Sequence, residues 1–343
     1  MPEWYESAGK DSGVIVSSRV RMSRNLAGHR FPGFLALEEE RAVQQKILEA
    51  FRRAGEDFVP LALENLKPFE RRLLLEKKLI SQDFALNSEN ILILNPQRDF
   101  SAMINTSDHL RMARLAPGLE LRNLLVWLME LDDKLEENID FAVDMDLGYL
   151  FSGLDNLGTG VGLSILAHLP ALVKTGHIDK VLKAMLHADF QVRGFIGDSE
   201  DSLGQFFLIE ARMLPGLSEW ENLEKLEKLA EQINHYERLA RQDLLNDPPE
   251  LEDRIFRAVG LLNSCRLLEY NESVELISSL RLGTVMGILD HRLDVFNSLL
   301  ILCQPCHIQE RLLKKGKRTD EGAANQERAQ LFRDFLIKEG SHV

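Results

Sequence analysis

No stretch constrains this chain more than Val14-Ile15-Val16-Ser17-Ser18-Arg19-Val20-Arg21. Its β-branched run and two-residue alternation predict a strand that aims Arg19 and Arg21 from one face. Two guanidiniums side by side on a rigid strand repel each other, and their forked donors suit phosphate oxygens, so the pair reads as a phosphate clamp. From this stretch alone, an edge strand with solvated arginines is the competing reading.

The elements that follow set the fold class. Val43, Ile47 and Phe51 give Leu37 to Ala54 one apolar helical face, with Gly55 as its stop, and Lys67 to Ile80 is a second amphipathic segment. Ile91 to Leu94 and Phe100 to Asn105 read as strands joined by Asn95-Pro96. The leucines from Leu121 to Leu135 predict a helix. A strand around Tyr149 to Phe151 then leads through Asp155-Asn156-Leu157-Gly158-Thr159-Gly160 to a helix expected to open near Val161. A glycine loop at a helix start offers free N–H groups to an anion, although this one lacks the Gly-Lys-Ser/Thr ending of a P-loop and also reads as a plain helix entry. Phe190 to Ile196 and Phe206 to Ile209 are expected strands around the acidic loop Asp198 to Ser202, and Glu219 to Leu245 is one long helix. Asp247-Pro248-Pro249 breaks the chain, and everything from Leu251 onward has a helical pattern. Strands and helices do not alternate regularly. The expectation is therefore an α+β domain over 14–246 with a mainly antiparallel sheet flanked by helices, after a loose polar tail at 1–13 and before an all-helical domain at 250–343.

A net charge of -13 argues against a general nucleic-acid or membrane surface while leaving room for a local basic pocket. No apolar run approaches the ~20 residues of a membrane span, and the first residues lack a basic start followed by an apolar core. Three cysteines make no disulfide framework. Together these predict a cytoplasmic protein. Cys303-Gln304-Pro305-Cys306-His307 matches a haem-attachment spacing, but no export signal or second cysteine pair accompanies it, so no metal site is predicted. Cys265 is expected in the core, His168 as a hydrogen-bonded core histidine within an apolar helix, and Lys314 to Arg318 as a solvated loop.

Several separate stretches resemble one family, the phosphagen (guanidino) kinases, and most closely the bacterial protein-arginine kinases. They are Ser17-Ser18-Arg19-Val20-Arg21 with Arg24-Asn25, Met103-Ile104-Asn105 with Asp108-His109-Leu110-Arg111, Asn156 to Gly160, His168 to Leu172, and Val192-Arg193-Gly194. Leu251 to Arg257 and Arg281-Leu282-Gly283 resemble the helical C-terminal domain of the protein-arginine kinases. The resemblance implies the guanidino-kinase, glutamine-synthetase-like fold and transfer of the γ-phosphoryl group of ATP, with Mg2+, to a guanidinium nitrogen. It implies a nucleotide site at Ser17, Ser18, Arg19, Val20, Arg21, Lys78, Arg111, Arg193, Gly194, Phe195, Ile196, Gly197 and Asp198. Lys78 stands where the family has a histidine. Implied partners are arginine-bearing proteins or a partner kinase, a second copy of the chain, and a setting in protein quality control.

On the acceptor side the chain departs from the family. A guanidinium must be oriented and deprotonated by carboxylates before its nitrogen attacks. One family glutamate falls on Thr106-Ser107, the reactive-site cysteine becomes Gly153, and the second glutamate falls on Asp201, with Asp198 and Glu200 close by. A family arginine after the Gly-Thr-Gly turn is Gly162, a loss of about 1.5–3 kcal/mol of phosphate binding. Ala324 to Ala329 lacks the leading Arg-Asp of the motif that senses phosphoarginine. Two function classes follow: a protein-arginine kinase or relative in which Asp201, Asp198 or Glu200 takes over as base, or a catalytically weak or inactive nucleotide- or protein-binding relative, a pseudokinase.

Overall fold

The computed structural model describes residues 3–55, 57–153, 158–195, 202–212 and 216–338. Its organising strand is β1 (Ile15–Arg24). The β-branched stretch extends fully and is buried on both sides by pairing antiparallel with β5 (Leu110–Pro117) and β8 (Val161–His168). β2 (Val59–Ala62), β3 (Ile91–Leu94) and β4 (Phe100–Ile104) extend the sheet beyond β5, while β10 (Phe206–Ala211) and β9 (Phe190–Gly194) extend it beyond β8. The order is β2-β3-β4-β5-β1-β8-β10-β9, antiparallel at each pairing, while β6 (Val143–Asp144) and β7 (Gly148–Tyr149) pair as a separate two-stranded sheet. The expected α+β class with an antiparallel sheet flanked by helices is what forms.

One face of the sheet carries Val20, Met22, Ala102, Met112, Leu163, Ile165, Phe207 and Ile209. Helices α1 (Leu37–Arg53), α4 (Leu121–Glu136), α5 (Pro170–Lys174), α6 (Ile178–His187) and α7 (Glu219–Leu244) cover it. α1 starts with Glu38, Glu39 and Glu40 and ends with Arg52 and Arg53, the charge order a helix dipole favours, and Gly55 takes the left-handed φ of +79° that ends it. α4 buries all six of its leucines, each contributing about 1.5–3 kcal/mol. α7 opens with a capping box in which Ser218 Oγ accepts the Glu221 N–H and Glu221 accepts the Ser218 N–H.

The opposite face has two separate covers. α2 (Pro68–Glu76) and α3 (Gln82–Leu86) pack on Leu92, Leu94, Met103 and Leu115. The helical segment, α8 (Pro248–Ser264), α9 (Tyr270–Val285), α10 (Leu293–Leu302), α11 (Pro305–Lys314) and α12 (Glu321–Lys338), packs on Val16, Leu166 and Phe206. Phe195 touches both covers.

Three expectations are corrected. Val161 opens the strand β8, so the glycine turn does not feed a helix and offers no helix-dipole anion site. Gly160 is required there for space: a Cβ would sit 2.4 Å from Phe151 and 2.7 Å from the Ser23 carbonyl. His168 ends that strand rather than lying in a helix, although it is the hydrogen-bonded core histidine expected, stacked on Phe206 and 2.8 Å from Ser278 Oγ. The stretch before β1 is packed rather than loose over its described residues. Trp4 and Tyr5 are buried, Trp4 Nε1 donates to the Lys77 carbonyl, and Arg241 and Arg281 donate to the carbonyls of Gly13 and Ser12.

Cys303 to His307 forms the junction of α10 and α11. Glu76, at the end of α2, accepts the N–H groups of Cys306 at 2.8 Å and His307 at 3.1 Å, and His307 Nδ1 lies 2.7 Å from the same carboxylate. The carboxylate from one cover thus caps a helix of the other. Removing it in Glu76→Ala is expected to cost about 1.5–3 kcal/mol of unfolding free energy in urea titration. A variant as stable as wild type would mean that the two covers hold together without this cap.

Candidate active site

Directly opposed residues of antiparallel strands share a face, so the register decides which side chains meet. Arg19 lies opposite Leu115 and Ser164, Arg21 opposite Ala113 and Gly162, and Ser23 opposite Arg111. Across β8, Ser164 faces Glu210, and on β9 Arg193 faces Leu208. Arg19, Arg21, Arg111, Arg193 and Glu210 therefore occupy one face, the one with two separate covers. Lys78, just past α2 in a left-handed conformation with φ 61°, reaches over it with Nζ 4.5 Å from the Phe195 ring.

Electrostatically this face is strained toward an anion. Burial, then the neighbouring Arg21 and Arg111, lower the Arg19 guanidinium to about 9. Burial, then Arg19 and Arg193, lower the Lys78 ammonium to about 8, and burial and Arg21 lower Arg111. Arg19 Nε is buried without a hydrogen-bond partner. Among the described residues one carboxylate pairs with the cluster: Glu210 bridges Arg21 at 2.9 Å and Arg193 at 3.2 Å. Five cations around one described acid, with an orphaned buried donor, fit the phosphates of a nucleotide.

Lys78 makes this testable by pH. Its free-state value near 8 lies below the ordinary 10.5, and an adjacent phosphate restores the charged form. Binding of Mg-ADP near pH 9 is thus expected to take up protons, and affinity to fall as pH rises between these values. Calorimetry in buffers of different ionisation enthalpy reads the uptake. Lys78→Met should reduce it, with Arg19 supplying the remainder, and proton release in the wild type would exclude this arrangement.

The other sequence-derived residues divide. Ser17 shares the arginine face through its register with Leu166. Ser18 and Val20 lie on the opposite one, where Ser18 Oγ donates to the Gly118 carbonyl and accepts the Glu120 N–H at the start of α4. Gly194 ends β9, and Phe195 forms the platform under Lys78. Ile196, Gly197, Asp198, Glu200 and Asp201 lie outside the described residues. Arg24 turns away from the site and forms a buried pair with Asp132 at 2.6 Å.

Asn25 and Asp108 organise the acceptor-side positions. Asn25 Nδ2 donates to Asp108 at 2.8 Å and to the Leu150 carbonyl at 3.0 Å, while Asn25 Oδ1 accepts the His109 N–H. Asp108 also accepts the Ser152 N–H at 3.0 Å. Two segments are thereby fastened together, one carrying Thr106 and Ser107, the other carrying Gly153. In the helical segment Arg328 donates to the carbonyls of Cys303 and Leu268 and to Asn325, which makes it a packing residue. Among the described residues no three His, Cys, Asp or Glu side chains group as a metal site, and no helix is long and apolar enough to cross a membrane. Sequence reasoning missed Glu210, whose signal is a lone acid in the otherwise apolar run Phe206-Phe207-Leu208-Ile209-Glu210.

Comparison with known proteins identifies the family and the fold. Residues 40–240 match the sequence model of the ATP:guanido phosphotransferase C-terminal catalytic domain, and residues 248–342 match that of the protein-arginine kinase McsB C-terminal domain. The chain is 37% identical to the protein-arginine kinase of Geobacillus stearothermophilus, over 90% of this chain and 86% of that one. It is 32% identical to that of Bacillus subtilis (strain 168), over 100% and 94%. In fold it resembles a lombricine kinase crystal structure, with a TM-score of 0.59 and 20% identity over 68% of each chain. It also resembles the duplicated taurocyamine kinase of Schistosoma mansoni, with a TM-score of 0.57 and 22% identity over 68% of this chain and 34% of that one. An arginine-lined antiparallel sheet, matched over more than half its length by the catalytic-domain model and followed by the matching helical segment, makes this chain a member of the ATP:guanido phosphotransferase family.

Proposed function

We propose that this chain binds ATP, with magnesium carried on its phosphates, on the face formed by Arg19, Arg21, Arg111, Arg193 and Lys78, and transfers the γ-phosphoryl group slowly to arginine side chains of proteins. The gathering of these five cations on one face carries the proposal. In such a transfer the guanidinium nitrogen forms a bond to the γ-phosphorus, the bond to the oxygen of the leaving ADP breaks, and a carboxylate accepts the nitrogen's proton. Positioning and charge stabilisation supply most of the rate. Asp201 is the assigned base, by its alignment with the family glutamate. The low rate follows from Ser107 and Gly153: a hydroxyl does not replace a carboxylate base, and glycine brings no thiolate to the guanidinium.

Those same two positions favour a second reading, in which the chain binds nucleotide, arginine-bearing proteins or an active partner kinase without transferring phosphate. On either reading its setting is the cytoplasm, and a homodimer and a role in protein quality control follow only by analogy with the family. Incubation with Mg-ATP and arginine-rich acceptor proteins separates the two. The transfer reading expects acid-labile phosphoarginine that Asp201→Asn abolishes; a purified, nucleotide-binding protein that forms none with several acceptors establishes the binding role instead.

A further inference from the structure

We propose that Glu210 is a built-in substitute for phosphate, an internal anion that holds Arg21 and Arg193 until the phosphates of a nucleotide displace it. This rests on the nucleotide reading of the arginine face and adds to it a residue that sets how tightly that face binds. Both carboxylate oxygens are engaged, one with Arg21 Nη2 at 2.9 Å and the other with Arg193 Nη2 at 3.2 Å. The carboxyl group is largely shielded, at 15% exposure, while Arg193 is half exposed. A carboxylate presents to guanidinium donors the same paired oxygens as a phosphate, so the two compete for the same N–H groups.

Gly162 is the other half of the device. Arg21 on β1 must cross β8 to reach Glu210 on β10, and its register partner on β8 is Gly162. A Cβ there would stand 3.3 Å from both Nε and Nη2 of Arg21, so glycine leaves the floor over which the guanidinium lies. The cluster is thus divided. Arg21 and Arg193 share one internal carboxylate, whereas Arg19 keeps a buried, unpartnered Nε. Polyanion binding becomes an exchange of one anion for another, which weakens it relative to an open cluster.

The test uses the full chain and two probes, tripolyphosphate and Mg-ADP, titrated calorimetrically into wild type, Glu210→Gln and Glu210→Ser, with circular dichroism to establish that each folds. The serine variant serves if the glutamine variant does not fold. Loss of the internal anion is expected to tighten both probes at least about tenfold, and adding Arg19→Ala to the tightened variant should remove the gain. Binding by the variants but not by wild type also supports the proposal, as complete occlusion by Glu210. Wild-type binding that is unchanged or weakened in the folded variants overturns the proposal and leaves the nucleotide reading intact. No binding by any of them overturns the nucleotide reading and the proposal with it.

Discussion

Arg19→Ala is expected to cut by about half or more the thermal stabilisation that Mg-ATP and Mg-ADP give the wild-type chain. Nucleotide at a hundredfold excess over its dissociation constant adds ~2.7 kcal/mol to a native state, or about 5–10 °C in midpoint at roughly 2–4 °C per kcal/mol. Arg19 sits at the middle of the cluster on the central strand, and each charge-assisted hydrogen bond it offers is worth about 1.5–3 kcal/mol. Its removal should therefore weaken nucleotide at least about tenfold. The free protein should behave in the opposite sense. Because burial and like charge hold Arg19 near 9 when folded, below its ordinary 12.5, its charged form opposes folding at neutral pH, and that opposition fades only as pH rises through this interval. The free variant is accordingly expected to melt no lower than wild type. A nucleotide-dependent shift as large in Arg19→Ala as in wild type would move the nucleotide site away from this face.

The second large effect concerns the acceptor. Ser107→Glu combined with Gly153→Cys is expected to raise phosphoarginine formation by about 10²–10⁴, the usual contribution of a positioned general base. Both positions can take the new side chains. Ser107 is exposed in the turn between β4 and β5, and a Cβ on Gly153 meets nothing within 4 Å. Asp108 and Asn25 already hold the two segments together, so the introduced groups would stand on joined segments. Quantifying acid-labile phosphate on an arginine-rich acceptor gives the answer. A folded double variant that transfers no faster than wild type would show that the loss of rate lies elsewhere, with Gly162 and Glu210 the next positions to restore. Because groups that act as a unit contribute non-additively, each single substitution should recover far less than the pair.

The sequence by itself determined the strands of strongest alternation, the long amphipathic helices α1, α4 and α7, and the helical character of the described residues from Pro248 onward, because these depend on local periodicity and on proline's effect on its own neighbourhood. It also pointed to Arg19 and Arg21 on one face, since alternation along a strand is a local property. Val161 to His168 was misread because a strand buried on both faces has a continuous apolar run, which periodicity does not distinguish from a buried helix. Only the tertiary structure decided that Arg111 on β5 and Arg193 on β9 join the pair on β1. Registers between strands separated by up to about 170 residues are set by how the sheet packs, and shifting any of them by one residue would turn its arginine to the other face. The same holds for Glu210. As a residue it is an ordinary acid near the end of a strand; its neighbours across β8 and on β9, and the empty space at Gly162, are what set it against Arg21 and Arg193.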